Sequence, residues 1–333
     1  MPAEWERHET TWLSWPKNPL TFPPETIGEV ERIFLQIIDA LTIGEKVSLL
    51  VDDLEIERKV RSRILFPLNV NFLRIKSADV WVRDYGPIFV RKEEGREVVA
   101  TKWMFNAWGE KYDDLLADND TGLEMAKVSS QEVITPDMVL EGGSIDSNGD
   151  GSCLTTEQCL LNKNRNPNLS KKEIEGNLYS YLGFRRIIWL GSGIEGDDTD
   201  GHIDDIARFV GRDTVVCMVE NDPNEDNYAP LKRNLEILQD YNESASEKLK
   251  IVTIEMPKKA LNHESRLPAS YANFYIGNSC VLLPIFGDEI RDKRAAHQLS
   301  ELFPSRKVVP IECNALVEGF GGIHCVTQQQ PSG

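Results

Sequence analysis

Apolar positions along this chain alternate between helical and extended spacing. After Pro23-Pro24, Ile27, Val30, Ile33, Phe34, Ile37, Ile38 and Leu41 recur three and four residues apart, which predicts an amphipathic helix over 26–41. A strand is expected at Val47–Val51, a short helix near 53–63 and a strand near Val70–Ile75. Residues 87–103 read as a hairpin, with Ile88-Phe89-Val90 and Val98-Val99-Ala100 flanking Glu93-Glu94-Gly95-Arg96. The rhythm then repeats. A helix over 171–182 points Ile174, Leu178 and Leu182 inward and stops at Gly183, and Arg186–Leu190 follows as a strand. Two strands are predicted within 203–219 around Gly211-Arg212-Asp213, then a helix at Pro230–Tyr241 and a strand at Lys250–Ile254. A hairpin about Gly277-Asn278, a helix near 288–302 and the strand Lys307–Ile311 complete the series. This order is that of an α/β fold. No Ser/Gly/Pro-rich linker breaks it, and Asn221–Asn227 reads as a surface excursion, so residues 1–333 are taken as one domain.

Composition narrows the class. Hydrophobic residues make up 41% of the 333, enough for a substantial core. No apolar run approaches the roughly 18 residues that suggest a membrane span. The first residues, Met1-Pro2-Ala3-Glu4-Trp5-Glu6-Arg7-His8, lack the basic and apolar regions of a secretory signal. Six Cys are scattered with no CxxC pair and no zinc spacing, the pattern of reduced thiols in a cytoplasm. The net charge of −17 argues against nucleic acid, whose phosphates need clustered Lys and Arg. It favours a small cationic ligand, although ordinary solvated surface accounts for most of it. Oligomeric state stays open, a homo-oligomer included.

Polar clusters recur at wide intervals. Measured from Asp84, Glu141, His202, Asn273 and Cys325, the spacings are 57, 61, 71 and 52. Such near-regular spacing suggests five similar units, each sending one loop to a common point. Cys325 follows Gly321-Gly322, where small residues let the backbone turn and approach a ligand. It reads equally as a nucleophile at a loop end or as a buried structural thiol. Asp84, before Gly86-Pro87, is expected at a strand end, either aimed into a cleft walled by Trp81 and Tyr85 or paired with Arg83 in a turn. Glu141, at a strand start before Gly142-Gly143, could accept a bond from a His N–H. If Gly201–Asp204 is extended, His202 and Asp204 share a face. Part of Asp197-Asp198-Thr199-Asp200 is simply an acidic loop.

A thiol, an imidazole and three carboxylates leave three chemistries open: a metal site, a Cys-His-carboxylate hydrolase, and capture of a planar cation. The first lacks His pairs at ligand spacing. The third explains the surplus of carboxylates, since a guanidinium offers five N–H donors in a fixed fork. The stretch Asp146–Glu157 satisfies a Ca²⁺-loop pattern, but Leu140-Glu141-Gly142-Gly143-Ser144 cannot be its entering helix, and a hairpin turn at Asn148-Gly149 or Asp150-Gly151 is the preferred reading.

These segments together resemble the agmatine deiminase family, kin of the bacterial peptidyl-arginine deiminases. The resemblance covers nearly the whole chain. It starts at Pro2-Ala3-Glu4-Trp5-Glu6-Arg7-His8 and runs through Trp12-Leu13-Ser14-Trp15-Pro16, Trp81–Pro87, Glu141–Ile145, Leu160–Pro167, Asp198–Asp204 and Gly322–Pro331. Phe320, between Gly319 and Gly321, departs from the family's run of glycines and is expected to narrow the entrance. The resemblance implies a five-bladed α/β propeller and a reaction without metal or cofactor. It implies Cys325 as nucleophile, His202 as acid and then base, Asp84 and Asp204 as guanidinium ligands, and Glu141 orienting His202. It implies agmatine as substrate, with protein-arginine deimination as the alternative. Trp81, Trp108 and Asp198 are candidates for the amine end. Gly322 is a candidate for a backbone N–H near the thiolate. His324 is set aside as the base, because neighbours on an extended segment point apart.

Overall fold

The computed structural model describes residues 1–92, 97–262 and 265–333. Its helices follow the apolar stripes. Ile27–Leu41 buries Val30, Ile33, Phe34, Ile37, Ile38 and Leu41, and each such side chain contributes about 1.5–3 kcal/mol on burial. Lys171–Leu182 begins with a reciprocal cap between Ser170 and Glu173 and ends at Gly183, whose φ is 75°.

The strands repeat one connection. Ile88–Arg91 pairs antiparallel with Val98–Thr101, which pairs in parallel with Glu132–Ile134. The parallel crossover carries the helix Asp118–Val128. A crossover of this kind needs a dozen or more residues, usually helical, to return the chain to the same sheet edge. The same ββαβ order recurs in three more sheets. These are Ile145–Ser147, Ser152–Thr156 and Arg186–Leu190; Ala207–Gly211, Thr214–Val219 and Lys250–Glu255; and Tyr275–Ile276, Cys280–Ile285 and Lys307–Glu312. In the fifth, Gln328–Pro331 pairs antiparallel with His8–Ser14, which runs parallel to Lys46–Leu50, and Val70–Leu73 adds a further parallel strand. The chain is therefore α/β, as expected. Asp84, Glu141, His202, Asn273 and Cys325 each fall a few residues before the first strand of a sheet.

That placement corrects three local expectations. Asp84 is not at a strand end but in a single helical turn, Val82–Tyr85, ahead of the strand at Ile88. His202 and Asp204 are not on a strand; His202 leads into the 3-10 turn Ile203–Asp205. Glu141 precedes another 3-10 turn, Gly142–Ser144, and the strand starts only at Ile145. The physical reason is common to these loops: side chains, not a neighbouring strand, take the backbone donors. Gly143 N donates to Asp84 Oδ1 at 3.0 Å, and His202 N donates to Asp197 Oδ2 at 3.0 Å.

The Asp146–Glu157 stretch is a hairpin. Asn148 Oδ1 accepts from Asp150 N and Ser152 N, both at 2.9 Å. The Asp146 carboxylate is occupied by Arg208 Nε at 2.8 Å and Phe209 N at 2.6 Å. Glu157 pairs with Lys171 at 2.8 Å. The turn expected at Glu93–Arg96 lies outside the described residues. Among those described, no helix is long and apolar enough to cross a membrane.

Candidate active site

Cys325 stands in a turn at the floor of a cleft of about 270 Å³. Asn273 Nδ2 donates to its Sγ at 3.3 Å and to Asp205 Oδ1 at 3.0 Å, and Asp204 Oδ2 is 3.9 Å from the sulfur. Gly322 is required here because a Cβ would run into the Asn273 side chain. Its N–H eases ionisation of the thiol, but burial, then Asp204, Asp205 and Asp84, push the other way. The thiol is held well above its ordinary range.

Asp84 lies between two donors and the imidazole. Its Oδ1 accepts from Gly143 N, its Oδ2 accepts from Trp108 Nε1 at 3.0 Å, and Oδ1 is 3.8 Å from His202 Nδ1. A Cβ on Gly143 would sit 2.6 Å from His202 Nδ1, 2.9 Å from Asp84 Oδ1 and 3.1 Å from Asp204 Oδ2. Only glycine lets these three groups converge. Burial raises the Asp84 carboxyl to about 6; His202 opposes this, while Asp204 and Glu141 add to it. For His202, burial favours the neutral ring, yet Asp84 foremost, with Cys159 and Asp204, outweighs it and holds the ring well above the usual imidazole range. Burial would raise Asp204 as well. The bond and charge of His324, then His202 and Arg208, reverse that and lower it. Both His202 ring nitrogens, Asp204 Oδ1 and Glu141 Oε2 are buried with no hydrogen-bond partner among the described residues. Each such group costs about 1–3 kcal/mol when left unpaired, and their clustering marks a place built to meet a polar ligand.

Glu141 reaches this cluster with a partner the sequence reading missed. Its Oε1 accepts from Arg165 Nε at 2.6 Å, with both side chains fully buried. Arg165 also donates to Asp200 Oδ2 at 2.7 Å and Thr199 O at 2.9 Å, so it ties the 197–200 loop to the site. One atom each of Glu141, Cys159 and His202 lie within 4.8 Å of one another. The adjacent guanidinium already supplies the compensating positive charge, which disfavours a metal ion there. Within the acidic loop, Asp197 accepts from Thr199 N, Gly201 N and His202 N and so shapes the turn.

The reasoning that set His324 aside is corrected. Residues 323–326 form a turn, not an extended segment. The His324 ring spans Asp204 Oδ2 at 2.6 Å and Glu4 Oε2 at 2.8 Å. Arg83 does not pair with Asp84; it donates to Gln329 Oε1 at 2.7 Å and meets Glu4 Oε2 at 3.4 Å. Tyr85 is no cleft wall: it is fully buried, and its hydroxyl donates to Asp79 O.

Trp81 and Trp108 do line the cleft. Trp108 has φ 54°, within a left-handed run that includes Ala107 at 50° and Glu110 at 61°. Such residues cost about 1–3 kcal/mol each; here the turn delivers the indole N–H to Asp84. Asp198 lines the mouth, taking the Tyr112 hydroxyl and standing 3.5 Å from Lys111 Nζ. Asp114 and Glu318, both absent from the sequence expectations, line it too. Phe320, with φ 68° and 43% exposed, also borders the cleft. No Arg or Lys lines it among the described residues.

An α/β chain of repeated ββαβ units that gathers a thiol, an imidazole and several carboxylates at one cleft floor has close counterparts among known proteins. The model of the Porphyromonas-type peptidyl-arginine deiminase family matches residues 1–331, and this chain belongs to that family. A Legionella pneumophila protein named "Putative agmatine deiminase" is 36% identical over 334 residues, 99% of this chain and 94% of its own. The solved agmatine deiminase of Enterococcus faecalis superposes with a TM-score of 0.93 at 31% identity, over 100% of this chain and 95% of that one. A Cys-to-Ser variant of C. jejuni agmatine deiminase, solved with substrate bound, gives 0.91 at 31% identity, over 100% of this chain and 96% of that one.

Proposed function

We propose that this protein is a cytoplasmic, single-domain agmatine deiminase. It hydrolyses agmatine to N-carbamoylputrescine and ammonia, as a step toward putrescine, with no metal or cofactor. The five ββαβ units are read as blades of a propeller whose axial loops carry the site. The observation that carries the substrate assignment is the cleft itself. It is lined by the carboxylates of Asp84, Asp114, Asp198 and Glu318 and by the rings of Trp81, Trp108 and Tyr112, with neither Arg nor Lys in its described lining. A dication with a guanidinium at one end and an amine at the other fits that distribution. A free amino acid would bring a carboxylate with no cation among these lining residues to receive it.

In this reading Asp84 and Asp204 hold the guanidinium nitrogens. The arriving cation offsets the carboxylate field on Cys325, so the thiol ionises as substrate binds and its proton passes to solvent. Sγ attacks the guanidinium carbon and forms a C–S bond. The imidazolium of His202 gives its proton to the departing nitrogen, the C–N bond breaks, and ammonia leaves an amidino-cysteine. Neutral His202 then takes a proton from water, whose oxygen bonds to the same carbon. The C–S bond breaks, releasing the ureido product and the thiol. Glu141, fixed by Arg165, stands within 4.8 Å of His202 to orient the ring as it works. Trp81, Trp108 and Asp198 contact the chain and amine end, and the Gly322 N–H steadies the developing thiolate.

Ammonia release from agmatine, free arginine and a C-terminal peptidyl-arginine tests the substrate. Agmatine is expected to be the best of the three, and turnover of the peptide alone would replace this reading with protein-arginine deimination. The pH profile follows from Asp84. A carboxyl raised to about 6 is ionised above that pH and neutral below it, and only the ionised form grips a cation. Thus kcat/KM should fall as pH drops through about 6; a profile flat down to pH about 4.5 would remove Asp84 from substrate binding.

A further inference from the structure

Glu4 stands at the opposite end of the chain from Cys325, yet its buried carboxylate reaches the back of the catalytic floor. Its Oε2 is 2.8 Å from His324 Nε2, and the other ring nitrogen, Nδ1, is 2.6 Å from Asp204 Oδ2. An ionised carboxylate accepts hydrogen bonds and cannot donate them, so the ring is the donor in this bridge. Such charge-assisted bonds are roughly twice as strong as neutral ones. The remaining oxygen of Glu4 is held too: Oε1 accepts from Ile276 N at 2.8 Å and lies 3.0 Å from Arg208 Nη2. Arg83 Nη2 faces Oε2 at 3.4 Å. The Glu4 carboxylate is therefore fixed from both sides, and it fixes the His324 ring in turn.

The consequence falls on Asp204. Its Oδ2 is committed to His324, while Oδ1 is buried and has no partner among the described residues. An oxygen kept free in this way is the one a guanidinium N–H can take. Without Glu4, Nε2 of His324 loses its acceptor. The ring can then turn, and Asp204 can rotate an oxygen away from the cleft.

We propose that Glu4 is a positioning residue for the reaction: acting through the His324 ring, it holds the Asp204 carboxylate in the orientation that grips the guanidinium. The proposal rests on Asp204 being a guanidinium ligand. The resemblance covers Glu4 without giving it a role, and the contact that does so joins residues 320 positions apart.

The test is a double-mutant cycle on ligand affinity in the Cys325→Ser protein, which is expected to bind without turning over. Glu4→Gln keeps the volume and one acceptor oxygen, so the N-terminal segment retains its bond to Ile276 N. It is expected to raise the Kd for agmatine at least about tenfold, the size of one lost charge-assisted bond. In an Asp204→Asn background the same change should raise Kd by less than about twofold, since the group it acts on is already gone. An equal loss in both backgrounds, or an unchanged Kd with only a lowered Tm, would make Glu4 a structural brace and overturn the proposal. If peptidyl-arginine binds and agmatine does not, the agmatine reading falls, while the cycle run with the peptide still decides the role of Glu4.

Discussion

Cys325→Ser should abolish ammonia release, by at least about 10³-fold, while leaving the fold and agmatine binding in place. The argument rests on what surrounds the atom. Asp204, Asp205 and Asp84 all oppose a negative charge at this position. A thiol, with an ordinary pKa near about 8.5, can still ionise once a bound guanidinium offsets that field. A serine hydroxyl is a far weaker acid, and the groups it would meet are the Asn273 amide and the weakly basic Asp204 carboxylate, 3.9 Å from the present sulfur. The fold should not suffer, because the side chain is small and the turn depends on Gly322 and on Asn273, which accepts the His324 N–H at 2.8 Å. Steady-state ammonia release with the melting temperature as control measures both halves. A serine variant working at the parent rate would rule out covalent catalysis at this residue.

Arg165→Met is expected to be the most damaging single change outside the reacting groups. It removes the cation from a fully buried pair and strands Glu141 in a region where Oε2 already lacks a partner. Breaking one side of a buried ion pair costs about 3–5 kcal/mol, because the remaining charge stays desolvated. Function should fall with stability, since the same guanidinium holds Asp200 and the Thr199 carbonyl in the loop that carries Asp198. Denaturant unfolding measures the loss. Adding Glu141→Gln to Arg165→Met should recover part of it by removing the stranded charge; if the double variant is no more stable than the single, the ion pair is not the cause.

The parts of this molecule legible in its sequence are those governed by local rules. Ile27–Leu41 and Lys171–Leu182 were readable because periodicity, caps and a left-handed Gly183 act within a few residues. The five polar loops were readable because each unit places its chemistry just ahead of a strand. The illegible parts depend on contacts distant in the chain. The helical turn at Asp84 exists because Gly143 and Trp108 supply donors to its carboxylate. The segment of His324 reads as extended but is a turn, stabilised in part by the Asn273 side chain. The left-handed run at Ala107, Trp108 and Glu110 carries no glycine signal at those three positions, so strain at the site could not be anticipated. Arg165 lay in a stretch that carries the resemblance but was given no role, since nothing local says that an Arg will be buried against a Glu 24 positions away.

The central claim is that this chain deiminates agmatine through Cys325. The most direct measurement follows agmatine labelled with ¹³C at the guanidinium carbon by NMR, with ammonia quantified in the same sample. The account predicts that the label moves to the ureido carbon of N-carbamoylputrescine with one ammonia released per turnover, and that it stays in agmatine with Cys325→Ser. Label recovered in urea alongside putrescine, or agmatine left unchanged by the parent protein, would contradict it.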